Sequence, residues 1–347
     1  MIEYDPFVRG PLRVGVRTFH ARDTARDRLF PVEIWYPAST QHHRQDLSTP
    51  SQDVFKFQDK PHTQLAVRDA AANSGEYPLV IYSHPSMFHR RAATYLCTHL
   101  GSHGYVVAAL DHSEVVAQMG PKQGETEEQK AVRFEAVLAS RVPDVRFLLD
   151  RLLNDPVLDR ISTIDAARIG IVGHSLGGWT SLALPEVESR IRAVVALAPG
   201  GASNPRPGIL PAKLNFTWGR DVPTLYLVAE NDVPTPLAGM FELFERTPST
   251  KQMVILRHAD HAHFMDNVEE LHESFRNMAV SGPLLQLQKE TRPISELCSG
   301  EQSHLFTRGL TLAHMDSILN GKAAARQFLS GDLTAELAHR GVDVLVP

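Results

Sequence analysis

Residues 168–179, RIGIVGHSLGGW, constrain the fold of this chain more than any other stretch. An apolar run at 169–172 breaks at Gly173-His174-Ser175-Leu176-Gly177 and gives way to helix-compatible residues at 179–184. A buried strand that turns so sharply into a helix lifts the residue at the turn out of the sheet edge. A serine there becomes a nucleophile once a base takes its proton. Gly173 and Gly177 are required sterically, because side chains at either position would collide where strand and helix pack around the turn. The pattern G-x-S-x-G is weak by itself. The strand before it and the helix after it make it a nucleophile elbow rather than a glycine-rich βα turn with an incidental serine.

Around this segment apolar runs bounded by turn residues alternate with helix-length stretches, the pattern of a mostly parallel sheet covered on both faces. Eight strands are expected, at 13–17, 30–36, 79–83, 106–110, 169–172, 193–197, 224–229 and 253–257. A short polar segment joins the first two and predicts an antiparallel hairpin at the sheet edge, while the other six are spaced for crossovers. Helices are expected at 91–103, 132–153, 179–184 and 237–246, with a last one within 310–329. The fold class is therefore α/β, an eight-stranded sheet with helices on both faces. A length of 347 residues with 43% hydrophobic content suits a single domain spanning 1–347. Residues 38–76 are polar, 200–222 are rich in Gly and Pro, and 281–304 combine Pro, Gly and Ser. All three are expected to be loop or lid insertions, and the last two to border a substrate cleft.

The net charge of -5 is mild and spread along the chain, so no nucleic-acid partner is expected. No apolar stretch approaches the roughly 18 residues that a membrane span needs. The first ten residues hold Glu3, Asp5 and Arg9 instead of a basic patch followed by an apolar run, so no secretory signal is read and a cytoplasmic location is expected. Cys97 and Cys298 are too far apart to suggest a metal site or a disulfide framework. Cys97 is expected to pack as a small hydrophobe.

An activated serine needs a base and an acid downstream, each just past a strand end. After the strand at 224–229 comes Glu230-Asn231-Asp232. Asp232 is the expected acid, which accepts the imidazole N–H, fixes its tautomer and stabilises the imidazolium formed during attack. The bland alternative is that Asp232 caps the helix that begins near Pro236; Glu230 is the reserve acid. After the strand at 253–257 come three histidines, His258, His261 and His263. The order Ser, Asp, His leaves room for about one βα unit in each gap. His261 is the expected base for its offset past the strand, with His263 and His258 as reserves. His258-Ala259-Asp260-His261 also matches the second half of the H-x-H-x-D-H zinc motif of metallo-β-lactamase-type hydrolases, but Leu256 stands where the first histidine belongs. No metal and no cofactor are therefore expected. An oxyanion hole needs two backbone N–H groups aimed at the attacked carbonyl. Leu176, directly after the nucleophile, supplies one, and the loop at 82–87 supplies the other. Pro85 has no N–H, so Ser86 is the expected donor.

The blocks Phe30-Pro31-Val32-Glu33-Ile34-Trp35-Tyr36-Pro37, Ser83-His84-Pro85, Ser102-His103-Gly104-Tyr105 through Asp111-His112, and Gly173 to Gly178 together resemble the α/β-hydrolases that include platelet-activating-factor acetylhydrolases and proteins labelled predicted dienelactone hydrolases. The resemblance implies the α/β-hydrolase fold and a serine esterase acting on small-molecule or lipid-like esters. Three departures qualify it. The oxyanion loop has His84-Pro85 where the family usually has His-Gly. Dienelactone hydrolases proper use a cysteine where this chain has Ser175. Acetylhydrolases of this group place their acid after the sixth strand, where this chain has Ala198-Pro199, so the acid falls to Asp232, as in bacterial esterases and polyester-cleaving relatives of the same fold.

The expected chemistry is two-step acyl transfer to water through Ser175, His261 and Asp232, without metal or cofactor. Thioester or amide cleavage, or acyl transfer to an alcohol, would use the same residues. A catalytically silent ligand-binding protein of the same fold is the alternative from another class.

Overall fold

The computed structural model describes residues 4–42, 45–57, 59–154 and 163–347. The strands are β1 (Arg13–Asp23), β2 (Arg28–Ala38), β3 (Asp53–Phe57), β4 (Lys60–Gln64), β5 (Val67–Arg68), β6 (Glu76–Ser83), β7 (Val106–Leu110), β8 (Thr163–His174), β9 (Ile191–Leu197), β10 (Thr224–Ala229), β11 (Lys251–Leu256) and β12 (Val344–Leu345). Ten of them form one sheet in the order β12-β11-β10-β9-β8-β6-β7-β2-β1-β5. It is parallel from β11 to β7, and β1 and β2 run as the expected antiparallel hairpin beside β7.

All eight expected strands are present. The sheet has ten because β5 pairs with β1 and β12 pairs with β11 at the two edges. Each of these edge strands is two residues long, too short to carry a hydrophobic period. The central strands are buried on both faces, which is why β10 reads as a continuous run, TLYLVA, with every residue buried. Alternate side chains feed two cores: Ile171 and Tyr226 pack on one face of the sheet, Val172 and Leu227 on the other. Burying each such side chain stabilises the fold by roughly 1.5–3 kcal/mol before chain entropy is counted.

The helices are α1 (Thr94–Ser102), α2 (Ser113–Val116), α3 (Glu127–Asn154), α4 (Leu176–Ala183), α5 (Leu237–Arg246), α6 (Val268–Asn277), α7 (Pro283–Glu290), α8 (Gly300–Ile318), α9 (Ala323–Leu329) and α10 (Leu333–Ala338). The single helix expected within 310–329 is two, α8 and α9, separated by Gly321 at φ 61°. The start of α8 is set by a capping box between Ser299 and Gln302.

Two of the three expected loop insertions contain regular structure. Residues 38–76 hold the β3–β4 hairpin and β5, although 43–44 and 58 fall outside the described residues. The hairpin's alternation is hidden by polar residues, because it packs over the rim of the domain and not into the central core. Residues 281–304 hold α7 and the first turn of α8, while 200–222 form neither helix nor strand.

Candidate active site

The sharp break expected between strand and helix is found between β8 and α4. Ser175 has φ 58° and ψ -117°, a conformation that costs a non-glycine residue on the order of 1–3 kcal/mol and persists only where its surroundings enforce it. Here they do. The Ser175 N–H donates to the Leu197 carbonyl at 2.9 Å, and its own carbonyl accepts from the N–H groups of Trp179 at 3.0 Å and Gly200 at 2.9 Å. A Cβ on Gly173 would lie 2.1 Å from the Gly177 oxygen, and one on Gly177 would lie 1.9 Å from the Ser83 oxygen. The turn is therefore pressed directly against the end of β6, where the loop of His84 to Met87 begins.

Of the three candidate histidines, only His261 meets Asp232. Its Nδ1 is 2.7 Å from Asp232 Oδ2, and the Asp232 side chain is fully buried while the imidazole keeps 21% exposure. Burial alone would push the His261 pKa down, but the charge and hydrogen bond of Asp232 outweigh it and raise the value above the ordinary histidine range. A carboxylate at Nδ1 places the neutral ring's proton there and leaves Nε2 as the acceptor. Asp232 Oδ1 accepts the Thr235 N–H at 2.8 Å, so the turn-capping role is also filled, by the other oxygen. Thr235 Oγ1 lies 3.4 Å from His261 Nδ1.

His261 opens the short 3-10 turn His261–Phe264, which Asp260 caps by accepting the Ala262 N–H at 3.0 Å. Asp260 also engages His263 Nδ1 at 2.7 Å and His272 Nδ1 at 2.6 Å. His263 is buried and bonds the Cys298 carbonyl through Nε2 at 3.0 Å, so both its ring nitrogens are taken. Burial opposes its protonation, yet Asp260 and that carbonyl raise its pKa to about 10. With both nitrogens engaged inside the fold, this ring has none free to act as a general base. His258 is exposed, at φ 51°, and its ring Nε2 lies 3.9 Å from Asp343 Oδ2. Glu230 accepts the His258 N–H at 3.1 Å and faces Arg257 at 3.5 Å. None of the three reserve residues joins Asp232 and His261. The half zinc motif does not converge either, since Asp260 turns to His263 and His272 while His258 turns to Asp343.

The loop after β6, expected to hold an oxyanion donor, is anchored from below. His84 is fully buried, and burial drives its pKa well below the ordinary value. Its Nε2 accepts the His112 N–H at 2.9 Å, so the proton sits on Nδ1 and is donated to the Pro85 carbonyl at 2.6 Å. Arg141 of α3, also fully buried, donates to the His84 carbonyl at 2.8 Å and the Pro85 carbonyl at 3.2 Å, and is paired with buried Glu114. The carbonyls of the loop thus face inward.

Beneath this lies a second Ser-His-Asp chain that sequence reasoning missed. Ser83 Oγ is 2.8 Å from His112 Nε2, and His112 Nδ1 is 3.2 Å from Asp144 Oδ2. Side chains this deeply buried meet no substrate, and burial holds His112 neutral by pushing its pKa to about 3. The arrangement is a support for the loop after β6. Its signal was present in α3, where Arg141 and Asp144 interrupt an apolar stripe of Val137, Val145, Leu148 and Leu152.

Ser86, Ser175 and Leu176 border one cavity of about 390 Å³, which is walled mainly by apolar groups such as Phe134, Ile209 and Met240. Leu176 is the first residue of α4, so its N–H is among those with no intrahelical acceptor. Pro234 joins this cavity to a second, of about 270 Å³, bordered by His261, Val233 and Phe275.

A family model described as PET hydrolase-like matches residues 72–308, more than half of the chain. The chain belongs to the PET hydrolase-like family. Cutinase est1 of Thermobifida alba is 26% identical over 211 residues, which is 60% of each chain. The platelet-activating factor acetylhydrolase of Cavia porcellus is 25% identical over 288 residues, 70% of this chain and 62% of that one. A solved ferulic acid esterase from Streptomyces cinnamoneus aligns over 97% of this chain and 96% of its own at a TM-score of 0.65 and 23% identity, which establishes a shared fold. These matches uphold the resemblance to α/β-hydrolases and narrow it to the PET hydrolase-like group. The family match includes Ser86, Ser175, Leu176, Asp232 and His261, and leaves β1 to β5 outside.

Proposed function

We propose that this PET hydrolase-like protein is a serine hydrolase of carboxylic esters. Ser175 attacks the ester carbonyl while His261 Nε2 takes its proton, and Asp232 stabilises the imidazolium. The N–H groups of Leu176 and Ser86 hold the tetrahedral oxyanion. His261 then protonates the leaving alcohol, and water repeats the sequence on the acyl-enzyme. These steps need neither metal nor cofactor. The observation that carries the reading is the 2.7 Å contact between Asp232 and His261, on a ring whose centroid lies 4.6 Å from that of His174, the residue before a serine held at φ 58°. The cutinase and ferulic acid esterase named above support it. The cavity beside Ser175, Ser86 and Leu176 suits an apolar acyl group.

The test is reaction of the purified protein with a fluorophosphonate, with peptide mapping of the adduct and parallel turnover of p-nitrophenyl acetate and octanoate. Labelling at Ser175 with loss of turnover is expected. An unlabelled Ser175 with no turnover of either ester would refute the proposal and leave a ligand-binding protein of this fold. Preference for thioesters or amides over matched esters would keep the triad and change the substrate.

A further inference from the structure

A third cavity, of about 300 Å³, lies under the β3–β4 hairpin. It shares the wall formed by Phe88, Leu271 and Ser274 with the cavity beside His261. Because His261 delivers a proton to the departing oxygen, the alcohol half of an ester leaves on the His261 side, away from the pocket beside Leu176 and Ser86. We propose that the alcohol half extends past His261 and over this shared wall, and that the cavity under the hairpin binds an aromatic ring at its far end. This rests on the ester-hydrolase reading above.

The lining carries the argument. Phe55 and Phe57 of β3 and Phe88 of the loop before α1 face the imidazoles of His62 and His89. Ring centroids are 4.3 Å apart for Phe57 and His89, 5.3 Å for Phe57 and Phe88, and 5.7 Å for Phe55 and His62. A further flat ring extends such a cluster in the tilted and offset geometries that aromatic pairs favour. The charges at the rim select a neutral ring. Lys60 is paired with Glu270, and Arg91 donates to Glu33 at 2.9 Å, while Asp266 and Glu273 also border the cavity, so carboxylates outnumber cations and a ligand ending in an acid is disfavoured. The hairpin is pinned over the cavity by the Lys60 pair and by Asn267 Nδ2, 3.0 Å from His62 Nδ1. It precedes residue 72, where the family match begins.

The test compares acetate esters of alkanols that end in a phenyl ring with acetates of plain alkanols matched in length, over a series of spacers. In the wild type, kcat/KM for the phenyl-ended series should rise over its alkyl counterpart by about tenfold at the spacer that reaches the cavity. Phe57→Ala should abolish that rise and leave p-nitrophenyl acetate turnover unchanged. Phe57→Leu, which keeps the apolar volume, should do the same if the alanine variant folds poorly. A flat ratio at every spacer, or an equal loss on short and long esters in both variants, would overturn the proposal while the esterase reading stands. A wild type inert toward p-nitrophenyl acetate and unlabelled at Ser175 would overturn both.

Discussion

Arg141 offers the sharpest test of how this site is held. Its guanidinium is fully buried, is paired with a fully buried Glu114, and donates to the carbonyls of His84 and Pro85. Arg141→Met leaves Glu114 as an uncompensated buried charge, which costs about 3–5 kcal/mol. The two carbonyls lose donors as well, each worth on the order of 1 kcal/mol. Against a total stability of about 5–15 kcal/mol the single variant should be close to unfolding. Adding Glu114→Gln removes the stranded charge and should restore roughly half of the loss. The informative measurement is made on that double variant. Urea denaturation should report a folded protein, yet kcat for p-nitrophenyl acetate should stay about a hundredfold below wild type with KM little changed. The loop that carries the proposed oxyanion donor, the Ser86 N–H, would no longer be fixed, and such a donor out of place has about that effect. A stable double variant with wild-type kcat would refute the reasoning and show that His84 alone orients the loop.

Gly177→Ala places a Cβ 1.9 Å from the Ser83 oxygen, so strand end and elbow must separate by more than an ångström; stopped assays should show at least about a hundredfold loss of kcat. Asp232→Asn should lower kcat by about 10⁴, because the amide can hold the wrong imidazole tautomer. In the wild type the acid limb of kcat/KM should lie above the ordinary histidine value of about 6.5, since the His261 pKa is raised and only the neutral ring accepts the serine proton. In the asparagine variant that limb should move down, as residual turnover against pH would show. His263 bears on stability. Its pKa is raised to about 10 in the folded state, so the stabilisation from its pair with Asp260 is complete below about 6.5 and is lost as pH rises toward 10. Urea midpoints should fall across that window in the wild type and stay flatter in His263→Asn; parallel curves would contradict the assignment.

Much of this protein was determined by the sequence alone, because the deciding forces are local. Periodicity placed the eight principal strands, and backbone sterics at Gly173 and Gly177 placed the elbow and therefore Ser175. The absence of an N–H on Pro85 excludes it as a donor in the loop after β6. Other features depended on which distant groups the fold brings together. Three histidines within six residues differ on paper only in their offset past the strand, which favours His261, and the packing of the turn after β11 against that after β10 is what gives Asp232 to His261 and leaves Asp260 for His263. Arg141, Asp144 and His112 read as ordinary charges on a helix and a turn until α3 lies against the turns that follow β6 and β7 and removes them from water. The β3–β4 hairpin read as a polar loop because its apolar residues, Phe55 and Phe57, face a cavity whose other wall is α6, more than 200 residues along the chain. Such pairings are set by the long-range closure of the sheet, and a local pattern carries no record of them.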